Sequence, residues 1–285
     1  MSRAGHRPDD GNVRALHEMA DTPAVVNAAL RSFHHDHPDL TIAPLVVLIA
    51  AYDEADNIAQ VVDEVPEKIA GVPVSLLVID DGSADDTAEI AASHGALVCR
   101  LPINRGHGVA LRLGYRIARE GSARYIATLD ADGQWNPADL PAMVALLEAD
   151  QADFVIGSRK LGSTENTDHV RNVGMAFFGR LISTLTRSKI TDSSSGLRVM
   201  RTEITAVVTQ VQPQYQTSEL LIGAISHGYR VAEVPTVMRR RISGHSKKGG
   251  NMFYGARYTR VVVSTWLRER RTARARERNA STSRS

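Results

Sequence analysis

Between residues 45 and 157 the apolar positions fall into two alternating kinds of run. Residues 45–51 (Leu-Val-Val-Leu-Ile-Ala-Ala) are apolar throughout, the pattern of a strand covered on both faces. Residues 53–69 instead set Ile58, Val61, Val62 and Val65 on one stripe, which predicts a helix. The alternation then repeats, with strands over 74–79, 97–101 and 125–129 and helices over 86–94, 105–120 and 137–147. Ser83 or Asp85 can cap the first of these helices, and Pro137 suits the start of the last. A short strand over 154–156 closes the series. Strand and helix in alternation predict an α/β fold with a mostly parallel sheet. Its crossovers are right-handed, and its ligands sit outside the carboxyl ends of the strands.

Beyond residue 157 the regularity stops. Helices are expected over 170–186 and 218–227, and strands over 197–200, 229–234 and 236–240. Asp192-Ser-Ser-Ser-Gly196 reads as a loop, residues 239–250 as a basic, donor-rich segment, and 252–268 as an amphipathic helix. Residues 1–43 form an extension, unstructured over 1–11 and helical over 12–33 with Val13, Leu16, Met19 and Ala20 on one side. No internal repeat is evident.

A chain of 285 residues that is 43% hydrophobic suits one large α/β domain with appendages. The single cysteine, Cys99, excludes a disulfide framework and a cysteine metal cage, and its apolar setting predicts a buried thiol in a reducing compartment. No secretory signal is expected in the polar first ten residues, and no run reaches the roughly 18 apolar residues that span a bilayer. His34-His-Asp-His37 has no further ligand nearby and precedes Pro38, so a solvated linker is expected there rather than a zinc site. The net charge of +2 hides an asymmetry: residues 268–285 carry seven arginines against Glu269 and Glu277. A disordered tail over 269–285, beside the apolar face of the preceding helix, predicts peripheral contact with an anionic membrane. The alternative is a helix that packs on the core. Nucleic acid is not expected, because aromatic residues do not interleave the basic ones beyond Trp266.

Chemistry enters at the strand ends. Tyr52-Asp-Glu54, Asp80-Asp81 and Asp130-Ala-Asp132 each follow an apolar run. Asp130 and Asp132 can share a divalent metal, with Gln134 adding a neutral oxygen, and oxygen ligands suit Mg2+ or Mn2+. A metal held there can neutralise a diphosphate. Asp-Ala-Asp-Gly alone reads equally well as a turn. Chance turns explain three acidic strand ends on one edge poorly.

These motifs, with Asn104-Arg-Gly-His-Gly108 between them and Gln134 after the third, resemble a family 2 glycosyltransferase of the GT-A fold. Gly157-Ser-Arg159, Asp192-x-x-Ser-Gly196, Glu219 and Arg241-x-x-Gly-x-Ser-Lys247 are similar to the dolichyl- and polyprenyl-phosphate sugar synthases within it. The resemblance covers residues 44–268, with a nucleotide-binding half over 44–157 and an acceptor half over 158–268. It implies an inverting, metal-dependent hexosyltransferase using a UDP- or GDP-sugar and a polyprenyl phosphate at the inner membrane face. It implies that Asp81 accepts from the nucleotide base, that Tyr52 and Glu54 flank base and ribose, and that Ala51 and Gly106 adjoin the donor. Asp130 faces the ribose or sugar, and Asp132 with Gln134 holds the metal. Arg159, Arg171, Arg241 and Lys247 meet the acceptor phosphate, while Asp192 and Glu219 orient acceptor or sugar. Asp80 is expected in a supporting or capping place. A soluble hydroxyl acceptor, or a silent nucleotide-sugar-binding subunit, is the alternative. His107 stands where many relatives carry Lys, and Asp53 where they carry Asn.

Overall fold

All seven residues of β1 (Leu45–Ala51) are buried, because the strand lies inside the sheet with a core on each face. Val46, Leu48 and Ala50 enter one core and Leu45, Val47, Ile49 and Ala51 the other, the period-2 division of a pleated strand. The computed structural model describes residues 10–165, 169–212, 215–241 and 252–282.

β3 (Val72–Asp80) and β5 (Tyr125–Asp130) lie parallel on either side of β1, with Ala51 opposite Asp80 and Ala50 opposite Asp130. β4 (Leu97–Arg100) pairs parallel with β3, and β2 (Lys68–Ile69) makes an antiparallel hairpin with it. Beyond β5, β7 (Arg198–Arg201) runs antiparallel to both β5 and β6 (Phe154–Thr164). The edge strand β8 (Val231–Met238) is parallel to β6. The order is β2-β3-β1-β5-β7-β6-β8, so the sheet is mixed rather than purely parallel. Reversal of β7 has a consequence for function. Its beginning lies on the same rim as the carboxyl ends of β1, β3 and β5, so the 192–196 loop meets the acidic strand ends.

On one face pack α2 (Ala55–Asp63), α3 (Thr87–Ser93) and α5 (Leu140–Glu148), the last led by a 3-10 turn over Pro137–Asp139. On the other lie α1 (Asp10–Asp36), α4 (His107–Glu120), α6 (His169–Thr186), α7 (Ile204–Val207), α8 (Gln216–Ser226) and α9 (Met252–Thr282).

Several expectations are corrected. The helix expected to reach residue 69 stops at Asp63, because Pro66 disfavours helix in its approach and Ala70 and Gly71 turn the chain into β3. The short strand at 154 extends to Thr164. The two strands expected around Pro235 are one strand, which tolerates the proline because it lies at the sheet edge. Helix, not linker, carries His34 and His35, and His34 Nε2 lies 3.0 Å from Glu120. The extension is docked: Ala29, Leu30 and Phe33 are buried, each large side chain worth about 1.5–3 kcal/mol. Cys99 is buried beneath it, and burial pushes the thiol up to about 12. Lastly, α9 continues to Thr282, so the segment expected to be a disordered tail is helical over 269–282. Its Tyr258, Val261 and Val262 are buried on the core rather than left for lipid.

Candidate active site

Asp130 ends β5, and Asp132 follows two residues later. The Trp135 indole donates to Asp130 Oδ2 at 2.8 Å. The backbone of Gly196 lies directly against the Asp130 carboxylate, and any Cβ there would overlap it. Thr128 Oγ1 donates to the Gly196 carbonyl at 2.7 Å and fixes that approach. Asp132 is 7% exposed. Its Oδ1 accepts from Gln134 N at 3.1 Å, and Arg241 Nη2 lies 2.7 Å from its Oδ2. Arg241 Nη1 is 3.5 Å from Glu54 Oε1. Burial, and then the charge of Asp130, push the Asp132 carboxyl up to about 6, against the pull of Arg241.

Asp132, crowded by the charge of Asp130 and already drawing in a guanidinium, is a fit for a cation, and an all-oxygen donor set suits Mg2+ or Mn2+. No group of three or more His, Cys, Asp or Glu gathers as a metal cage among the described residues, the 34–37 histidines included. Asp130 and Asp132 are a carboxylate pair, and with such a pair substrate phosphates and water would complete the shell of a bound ion. Gln134 is turned toward the end of β8: its side-chain Nε2 donates to the Arg239 carbonyl at 3.3 Å, and its backbone carbonyl accepts from Arg239 N at 2.8 Å.

Neighbouring strand ends build the rest of the cleft. Asp81 accepts from Arg105 N and Gly106 N, each at 2.7 Å, and so ties the loop after β3 to the start of α4. Gly82 has φ +74°, and a Cβ there would overlap the backbone of Ile103 and Asn104, so only glycine lets these loops meet. Asp80, fully buried, accepts from the backbone and hydroxyl of Ser83 and lies 3.0 Å from Arg100 Nε, a supporting place as expected. Asp53 has φ +49°, which Asp and Asn tolerate alike, and its Oδ1 accepts from Ala84 N at 2.8 Å. Ala51 is buried, and its carbonyl accepts from Asp81 N at 2.8 Å. Glu54 accepts from Asn57 Nδ2 at 2.6 Å, Tyr52 is half-buried nearby in sequence, and His107 is exposed at the start of α4.

Arg159 has a partner other than the one expected. Its Nε and Nη2 meet the two oxygens of Asp192 at 2.6 and 2.7 Å, and Nη2 also donates to Ser194 Oγ at 2.8 Å. The guanidinium stacks 5.4 Å from the Trp135 ring, and its side chain is 3% exposed. An arginine so enclosed holds Asp192 in place. Burial raises the Asp192 carboxyl, but the hydrogen bonds and charge of Arg159 outweigh it and hold the group below its ordinary range. Glu219 is also corrected. It is fully buried, accepts from Val211 N and Gln212 N at 3.0 Å, and pairs with Arg268 at 2.9 Å, so it anchors α9 rather than a ligand. The side chains of Arg171 and Lys247 lie outside the described residues.

Three contributors were not anticipated. Trp135 joins Asp130 to Arg159, and its place directly after Gln134 was the available signal. Glu233 accepts from Thr191 N and Asp192 N at 2.9 Å and orients the loop. Arg198, fully buried, donates to the carbonyls of Ser193 at 2.7 Å, Ser195 at 2.8 Å and Thr217. A charged residue inside an apolar strand was its only trace in the sequence.

The sheet is GT-A-like and carries a carboxylate pair on its carboxyl rim. Residues 46–208 match the model of Glycosyl transferase family 2, and the chain belongs to that family. An uncharacterized glycosyltransferase of Mycobacterium bovis is 33% identical over 194 residues, covering 67% of this chain and 86% of that protein. The dolichyl-phosphate hexose transferase of Haloferax volcanii is 29% identical over 232 residues, covering 81% of this chain and 98% of that one. The fold is similar to glucosyl-3-phosphoglycerate synthase of Mycobacterium tuberculosis, solved with Mn2+, UDP and glucosyl-3-phosphoglycerate. That match has a TM-score of 0.60 at 20% identity and covers 83% of this chain and 82% of the other.

Proposed function

We propose that the chain moves one sugar from a UDP- or GDP-sugar to a polyprenyl phosphate, with inversion at the anomeric carbon. The observation that carries this reading is the Asp130–Asp132 pair on the rim beside Ala50 and Ala51. Asp130 and Asp132 would hold Mg2+ or Mn2+ against the donor diphosphate, and the bound ion supplies Lewis-acid stabilisation of the leaving group. Tyr52, Glu54 and Asp81 border the nucleotide. The helix dipole at the amide end of α4, beside Gly106, favours the diphosphate.

Arg241, with Arg171 and Lys247, receives the acceptor phosphate. An acceptor oxygen then bonds to the anomeric carbon as the bond from that carbon to the diphosphate breaks, its electron pair leaving with the nucleoside diphosphate. A hydroxyl acceptor would require a base. Asp192 is a poor one, with both oxygens on Arg159 and its affinity for a proton lowered, and Glu219 is spent on Arg268. An ionised phosphate needs no base, and the dolichyl-phosphate relative supports that acceptor. No helix among the described residues is long and apolar enough to cross a membrane. The basic distal turns of α9 supply the contact with anionic lipid at the inner face of the cell membrane.

The test is transfer of radiolabelled sugar from UDP- and GDP-sugars with Mn2+. Label should enter the organic phase only when polyprenyl phosphate is supplied. Transfer to soluble hydroxyl acceptors with none to polyprenyl phosphate would overturn the acceptor assignment. Sedimentation with phosphatidylglycerol vesicles should pull down the full chain and leave a 1–271 truncation in solution; equal pelleting refutes the role of the distal turns.

A further inference from the structure

Helix α4 carries a second concentration of positive charge, away from its amide end. Arg112, Arg116 and Arg119 follow one another at helical spacing and line one wall of a cleft of about 370 Å³ between α4 and α1. Pro23 and Val26 of α1, with Val109 and Leu113 of α4, supply its apolar lining. At 1.5 Å per residue the arginines stand about 9 to 20 Å along the helix from Gly106, so the cleft is not the donor site.

Their charges are poorly compensated. Arg116 Nε meets Glu120 at 2.8 Å, but Glu120 is shared with His34. Arg112 donates to the Gln212 carbonyl at 3.0 Å, and Arg119 to the carbonyl and hydroxyl of Thr205 at 3.1 and 2.9 Å. Among the described residues neither of these two has a carboxylate in ion-pair contact. Glu219 acts on Arg112, and Glu120 on Arg119, only at a distance; Glu219 is itself paired with Arg268, and Glu120 with Arg116 and His34. Like charges at this spacing repel, and burying them without a counter-ion costs free energy. Burial accordingly lowers the proton affinity of both Arg112 and Arg119. Carbonyl contacts orient a guanidinium but leave its charge unanswered. A planar fork with donors to spare is the group that recognises phosphate oxygens.

We infer that the α1–α4 cleft binds a phosphate monoester through Arg112, Arg116 and Arg119. The phosphate belongs either to a small soluble ester or to a lipid headgroup whose first methylenes lie on the Pro23–Val26 wall. A dianion would answer the two guanidiniums that lack carboxylates. Asn27 sits at the mouth, where its Oδ1 accepts from Arg116 Nη1 at 2.8 Å. Asn27→Asp would place a built-in carboxylate there at no cost to the helix interface.

The experiment is isothermal titration of the full chain, free of divalent metal and at fixed ionic strength, with glycerol 3-phosphate and with dihexanoyl phosphatidic acid. Wild type should bind at least one of them. Asn27→Asp and Arg116→Gln should each weaken that binding at least 10-fold, with melting temperatures unchanged or, for Asn27→Asp, raised. Equal affinities for the two compounds assign a soluble ester; at least 10-fold preference for the lipid assigns a headgroup. Binding of neither compound, or binding that both variants leave intact, overturns the inference. Because Asn27 and Arg116 are remote from the rim, intact binding in both variants also marks the active site as the place where the phosphate went.

Discussion

Arg241 Nη2 lies 2.7 Å from Asp132 Oδ2, and Nη1 lies 3.5 Å from Glu54 Oε1, so one guanidinium bridges two of the acidic strand ends. It stands where a metal held by Asp132 would draw its charge. A metal held by Asp132 would therefore compete with Arg241 for one carboxylate, and on the proposed reading its arrival would release Arg241 toward the acceptor.

Arg241→Ala should thus act in opposite directions on two measurements. Without nucleotide, Mn2+ should bind the variant several-fold more tightly, read by the electron paramagnetic resonance signal of the free ion. Transfer should fall at least 10-fold, chiefly through a raised KM for the acceptor. Unchanged or weaker Mn2+ binding would contradict the competition.

Asp132 also sets a pH dependence. Its carboxyl is pushed up to about 6 from an ordinary value of 3.8, so its protonated form is the one the fold favours. That contribution to stability is fully present below pH 3.8 and is lost as the pH rises through about 6. Metal-free wild type should therefore lose stability across that window relative to Asp132→Asn. Mn2+ requires the ionised form and should bind progressively more tightly as the pH rises through 6. Melting temperatures of both proteins between pH 4.5 and 7.5 provide the check; parallel profiles would contradict it.

Arg159 and Asp192 form a buried, two-pronged pair, with side chains 3% and 1% exposed. Arg159→Ala strands the carboxylate and should cost about 3–5 kcal/mol in chemical denaturation. An arginine serving only the acceptor phosphate would instead raise the acceptor KM and leave stability untouched.

What the sequence discloses follows from how local each cause is. β1, β3 and β5 are legible because strands covered on both faces must be apolar throughout, and their acidic ends stand out against that background. The meeting of Asp81 with Gly106, and of Gly196 with Asp130, is implied only by glycines whose partners are distant in the chain. Reversal of β7 leaves no mark in residues 198–201, since an antiparallel strand buried on both faces reads like a parallel one. Pro235 marks a strand break unless the strand is known to lie at an edge. The pairing of Arg159 with Asp192 was hidden because 33 residues separate partners that the fold brings together.

The most direct test of a cation-holding acidic rim is Asp132→Ala, assayed for UDP- or GDP-sugar binding by titration with and without Mn2+, and for transfer. Metal-dependent donor binding should disappear and turnover should fall by at least about 100-fold, the scale of losing several kcal/mol of charge stabilisation. Wild-type turnover with undiminished Mn2+-dependent binding would contradict it.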